Sequence, residues 1–258
     1  FMEVAMQIPH KKIYDENETY GFAVPPDGFP SGNPIAIRSI VTDKNQTDYV
    51  QAGINTEVVL TKALSYKFFY GANVKDYYNY YHMPAYNYGN QSQLEHTFLS
   101  EERGRTNHWV MNNLLTYTKA FDLHKVDLLA GFSREKTEYR YTGGSNREIP
   151  SDDLTTLSSG IGDRDAWGDR SINTLQSVFG RANYEFDQKY MFQGSIRYDG
   201  SSKFSEKNRY GLFYSVSVGW AMHKEDFFKV AWISELKPRF SYGTLGNQNI
   251  GDFQYLDL

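Results

Sequence analysis

The stretch YMFQGSIRYD (residues 190–199), followed by YGLFYSVSVGWAM (residues 210–222), decides the fold. Tyr190, Phe192, Ile196 and Tyr198 alternate with Met191, Gln193, Ser195, Arg197 and Asp199. Tyr210, Leu212, Tyr214, Val216, Val218, Trp220 and Met222 alternate in turn with Gly211, Ser215, Ser217, Gly219 and Ala221. A third run sets Leu236, Phe240 and Tyr242 against Lys237, Arg239, Ser241 and Gly243. Successive side chains of a strand point to opposite faces, so each run has one apolar and one polar face. The runs last about nine to fourteen residues, where a soluble strand averages roughly 5–6 and a tilted membrane-spanning strand needs roughly 9–11. The pattern predicts the wall of a β-barrel that crosses an outer membrane.

Composition agrees with that expectation. Mean hydropathy is −0.61, and no segment approaches the roughly 20 apolar residues of a membrane helix. A barrel strand meets lipid with alternate residues only, so its mean hydropathy stays modest. Tyr (21) and Phe (17) dominate a chain that is 16% aromatic, a composition suited to the belts at membrane–water boundaries. The net charge of −4 over 258 residues gives no broad attraction to nucleic acid. With no cysteine, disulfides and thiolate metal sites are excluded. Phe1–His10 has no basic leader or cleavage site, so a mature piece or an internal segment is expected.

Outward from the decisive stretch, strands are predicted near 2–8, 49–61, 65–76, 107–119, 125–141, 171–186, 189–199, 209–222 and 236–245, nine in all. Lys62–Leu64, Ala120–His124 and Asp187–Gln188 read as tight turns. The stretches 10–48, 77–106 and 142–170, rich in Gly, Pro, Asn and Ser, read as long loops. Long and short connections alternate, so the long loops gather at one end of the sheet, expected to be extracellular, and the short turns at the periplasmic end. His223–Glu235 reads as a longer periplasmic link.

From Ser177 onward the residues resemble the SusC/RagA-type TonB-dependent transporters of the Bacteroidota outer membrane. The segments that carry the resemblance are SVFGRANY (177–184), KY (189–190), RYDGSSKF (197–204), RYG (209–211), SVSVGW (215–220), EDF (225–227), LKPRFSYG (236–243) and GN (246–247). Tyr214 and Pro238 depart from the family pattern, and Pro238 is expected at the first residues of a strand or at a bulge. The resemblance implies an all-β, transmembrane antiparallel barrel of about 22 strands around a plug. Residues 1–258 would then supply about nine of those strands, with neither plug nor TonB box. It also implies import of oligosaccharides or peptides, a SusD-like surface lipoprotein on the extracellular face, and TonB acting through parts outside this chain.

No catalytic constellation emerges, and neither an enzyme nor a cofactor is expected. The six histidines (His10, His82, His96, His108, His124, His223) lack ligand spacing and are placed mostly in loops. Gly200–Phe204 lacks the second glycine of a nucleophile elbow and reads as a hairpin turn. Asp163–Asp169 has the first carboxylates of a calcium loop but Thr174 where a bidentate Glu belongs, so an acidic solvated loop is preferred. Tyr77, Tyr78, Tyr80 and Tyr81, with Trp167, are the candidate substrate-binding residues, able to stack on sugar rings or grip a peptide. Tyr86 and Tyr88 belong to the same cluster. The plainer alternative for all of them is an aromatic belt and loop packing. Two rival readings of the whole chain are a soluble carbohydrate-binding β-sandwich and a small self-contained structural barrel.

Overall fold

The computed structural model describes residues 34–87, 93–230 and 232–251. A short helix, α1 (Pro34–Ile40), leads into β1 (Thr42–Val59) and β2 (Leu64–Met83). A two-stranded ladder, β3 (Tyr86–Asn87) with β4 (Gln93–Leu94), precedes β5 (Thr97–Phe121) and β6 (His124–Ile149). Then come β7 (Arg164–Phe186), β8 (Tyr190–Ser201), β9 (Tyr210–Trp220) and β10 (Arg239–Gly243). The long strands form one eight-stranded sheet in the order β1-β2-β5-β6-β7-β8-β9-β10, an uncrossed meander.

Eight long strands are therefore described where nine were predicted; the candidate at 2–8 lies outside the described residues. Seven of the eight exceed the mean soluble strand length, and β5 and β6 reach 25 and 26 residues. Much of the predicted loops at 77–106 and 142–170 is strand instead, leaving connections at 84–96 and 150–163. At 10–48, residues 34–40 are helical and 42–48 are strand, and the remainder up to residue 33 is not described. Met222 belongs to a 3-10 turn, not to β9. β10 starts one residue after Pro238, whose carbonyl accepts the Trp220 N–H at 3.1 Å; a residue without an N–H suits a strand's threshold.

The chain divides into two compact units. The second comprises 49–74, 106–139 and 171–258. In it β8 pairs with β7 and β9, and β9 with β10, so that apolar residues line up across strands. One row is Tyr184, Phe192, Val218 and Phe240, and another is Val178, Tyr198 and Leu212. Phe192 is 50% exposed, Val216 54% and Phe240 69%. Among the described residues the buried apolar side chains are Tyr80, Leu99, Ile149 and Ala221, so these rows belong to no dry core. A soluble sandwich would bury them. On the opposite face Ser195 and Ser215 hydrogen-bond at 2.7 Å, and Arg197 donates to Asp199 (Nε–Oδ1 2.6 Å) and to the Ser177 hydroxyl (2.8 Å).

Tight turns close the strands at one end. Asp187 and Gln188 both take positive φ (51° and 53°), the backbone sign of a mirror-type hairpin turn, and Lys189 N–H donates to Phe186 O at 3.0 Å. Beside the turns runs a chain of ring contacts: Phe121–His124 (5.1 Å between centroids), His124–Phe186 (5.0 Å), Phe186–Tyr190 (6.3 Å) and Tyr190–Trp220 (6.4 Å). This is the arrangement expected of an aromatic belt. Glu225 accepts from the Tyr190 hydroxyl (2.6 Å) and the Trp220 indole (2.9 Å), and these donors hold its carboxyl below the usual carboxylate range.

Candidate functional site

The first unit comprises 1–48, 75–105 and 140–170 and contains all five candidate side chains. Alternation along β2 separates them. Tyr78, Tyr80 and His82 share a face, with ring centroids 6.3 Å and 6.4 Å apart in sequence. Tyr77 and Tyr81 take the other face. Tyr80 is buried with Leu99 and Ile149, and Tyr78 and Leu157 pack against that cluster. The Arg103 guanidinium lies 4.3 Å from the Tyr78 ring centre. Tyr80 is thus packed into this cluster, and the half-buried Tyr78 lies against it.

Tyr77 and Trp167 are brought together by a residue that the sequence reading passed over. Glu102 on β5 accepts the Tyr77 hydroxyl at Oε1 (2.9 Å) and the Trp167 indole N–H at Oε2 (2.7 Å). Both carboxylate oxygens are thus used to fix two half-buried rings from β2 and β7. Two strand glycines make room: a Cβ on Gly143 would stand 2.5 Å from Nε1 of Trp167, and one on Gly104 would collide with the Tyr77 ring. Tyr81, on the Tyr77 face, contacts the Phe98 ring (6.1 Å). Two orientationally fixed rings can stack on a sugar or clasp a peptide side chain, since ordering them beforehand lowers the entropy lost on binding. Nothing in the sequence pointed to Glu102, which lies inside a stretch read as loop.

Other candidates resolve differently. Tyr86 pairs with Leu94 in the β3–β4 ladder, and Tyr88 lies outside the described residues. The predicted acidic loop at 163–169 is strand from Arg164 onward, and a strand cannot wrap a cation. Asp165 and Asp169 instead accept the N–H groups of Ala166 (2.9 Å) and Arg170 (2.7 Å). Among the described residues no group of three His, Asp or Glu could hold a metal. His82 and His124 are strand residues rather than loop or turn residues, and His108 lies in a strand as predicted; His108 pairs with the Thr137 hydroxyl (2.9 Å) and His124 with that of Tyr184 (2.7 Å).

Residues 11–255 match the family described as TonB dependent receptor-like, beta-barrel. TonB-dependent receptor P3 of Formosa agariphila is 31% identical over 96% of this chain and 25% of its own length. TonB-dependent receptor SusC of Bacteroides thetaiotaomicron is 37% identical over 57% of this chain and 15% of its own. The solved structure of the RagAB peptide transporter superposes with a TM-score of 0.84 at 23% identity, over 93% of this chain and 27% of that one. The chain spans about a quarter of the length of the relatives that it matches over nearly its whole extent. Long outward-bare strands, an uncrossed antiparallel meander and a family match over almost every residue agree, and the chain belongs to the TonB-dependent receptor β-barrel family.

Proposed function

We propose that the chain is part of the barrel wall of an outer-membrane importer for oligosaccharides or peptides, working with a SusD-like surface lipoprotein and driven by TonB through a plug outside this segment. The observation that carries the reading is the bare apolar rows on one sheet face set against hydrogen-bonded serines and charges on the other. Lipid is the solvent that such rows fit, and a wet lumen fits their backs. Relatives named as TonB-dependent receptors, one of them SusC, support the transport role, and a fold shared with a peptide transporter agrees with it. The protein acts by selective passage, not by catalysis.

Tyr77 and Trp167 share one acceptor, so both rings are held ready for a cargo ring or side chain. The Tyr77–Glu102–Trp167 group is thus the proposed cargo contact, with Tyr81 beside it. Calorimetry on the full-length protein with glycan and peptide panels should find a ligand whose Kd rises at least about tenfold, or about 1.4 kcal/mol, in Trp167→Ala. Unchanged affinity would remove this group from cargo binding. Purification in mild detergent should bring down the surface lipoprotein, and its absence would remove that partner.

A further inference from the structure

The link between β9 and β10 is rooted at several points. Ala221 is fully buried and donates its N–H to Lys189 O at 2.7 Å. His223 N–H donates to Leu236 O (3.3 Å), closing the link's neck. Glu225 takes hydrogen bonds from Tyr190 and Trp220 and an ion pair from Lys189 (3.4 Å), and Lys224 donates to Gln188 (3.0 Å). Within the link, Phe228 N–H donates to Glu225 O (3.0 Å) and Ile233 N–H to Val230 O (3.1 Å). So much local bonding normally accompanies a loop that packs inward.

This one leaves its largest apolar residues bare. Phe227 is 65% exposed and Trp232 84% exposed, with Val230 and the cation of Lys229 also exposed between them. Phe227 contacts the Trp220 ring (6.0 Å between centroids), and Trp220 pairs in register with Tyr190. Phe227 thus continues the aromatic belt that ends the apolar face, and Trp232 lies bare five residues further along the same link. An indole favours the headgroup level, where its ring meets acyl chain and its N–H meets water or phosphate, and a neighbouring lysine adds a phosphate partner.

We infer that residues 221–230 and 232–238 form an interfacial anchor, laying Phe227 and Trp232 into the phospholipid headgroup region of the leaflet beside the tight turns. The inference rests on the membrane reading above, and its test separates the two. Nitroxide labels would be placed singly at Trp232→Cys, Phe227→Cys, Val216→Cys and Lys207→Cys in full-length protein otherwise free of reactive cysteine, reconstituted in phospholipid vesicles. Collisional accessibility to oxygen, which concentrates in the bilayer, is compared with that to a water-soluble nickel chelate. Labels at 232 and 227 should show an oxygen-to-nickel ratio several-fold above that at 207 and below that at 216. Lipid-like 216 with water-like 232 and 227 would overturn the anchor and leave the barrel intact. Exclusion of both reagents from 232 and 227 would mean a protein cover and would also overturn it. A water-like 216 would overturn the membrane reading and the anchor together.

Discussion

Glu102 illustrates how much of the site depends on one carboxylate with two donors. A hydrogen bond to a charged acceptor contributes roughly 1.5–3 kcal/mol, and here two of them restrain rings on separate strands. Glu102→Gln keeps the shape but leaves the Trp167 indole a neutral acceptor in place of a charged one, and makes the Tyr77 hydroxyl accept from the amide N–H₂ instead of donating. Cargo Kd should rise about tenfold, roughly 1.4 kcal/mol, with β content by circular dichroism unchanged. Gly143→Ala should reproduce the loss by displacing the Trp167 ring. If calorimetry found Glu102→Gln binding as tightly as the parent, the rings would not need fixing. In the sequence, Gly143 reads as loop punctuation, although a Cβ there would collide with the Trp167 indole inside a strand; no single-sequence signal distinguishes the two uses.

The apolar face of β9 is the element on which the membrane reading can be measured. Val216→Arg places a charge on the bare row, and such a change near a bilayer midplane costs about 2–4 kcal/mol. Ser217→Arg, one residue away on the polar face, should cost well under 1 kcal/mol. Unfolding of the full-length protein in lipid vesicles by guanidinium, followed by tryptophan fluorescence, would show the asymmetry; equal losses would mean that both faces see the same surroundings. This alternation is also why the cores of β2 and β5 to β10 were legible. Where both faces meet polar or aromatic neighbours, the contrast fades. The run DYYNYYHM (76–83) is aromatic on both faces, so periodicity could not part Tyr77 from Tyr80. The same loss of contrast made the outer lengths of β5 and β6 read as loops. The turns were readable because they sit between high-contrast strands, although Gln188 at positive φ was not, since Asn or Gly is the usual signal.

For the molecule as a whole, the edges of the sheet decide what this segment can do alone. β1 pairs only with β2 and β10 only with β9 among the described residues, and each leaves a row of backbone N–H and C=O groups without a strand partner. β1 is exposed along nearly all of its 18 residues. In hydrocarbon every such unpaired group costs several kcal/mol, so an open edge does not persist in a bilayer. The proposed barrel therefore needs a strand partner for each of these edges, and the chain spans only about a quarter of the length of relative P3. Residues 34–251 refolded alone into detergent should give mixed oligomers joined edge to edge, with no monomer band shifting on heating. The full-length protein should give that shift. A monomeric, heat-shifting band from the segment alone would mean that β1 and β10 find each other and close a small barrel. The expectation of about 22 strands would then fail, and with it the room for a plug.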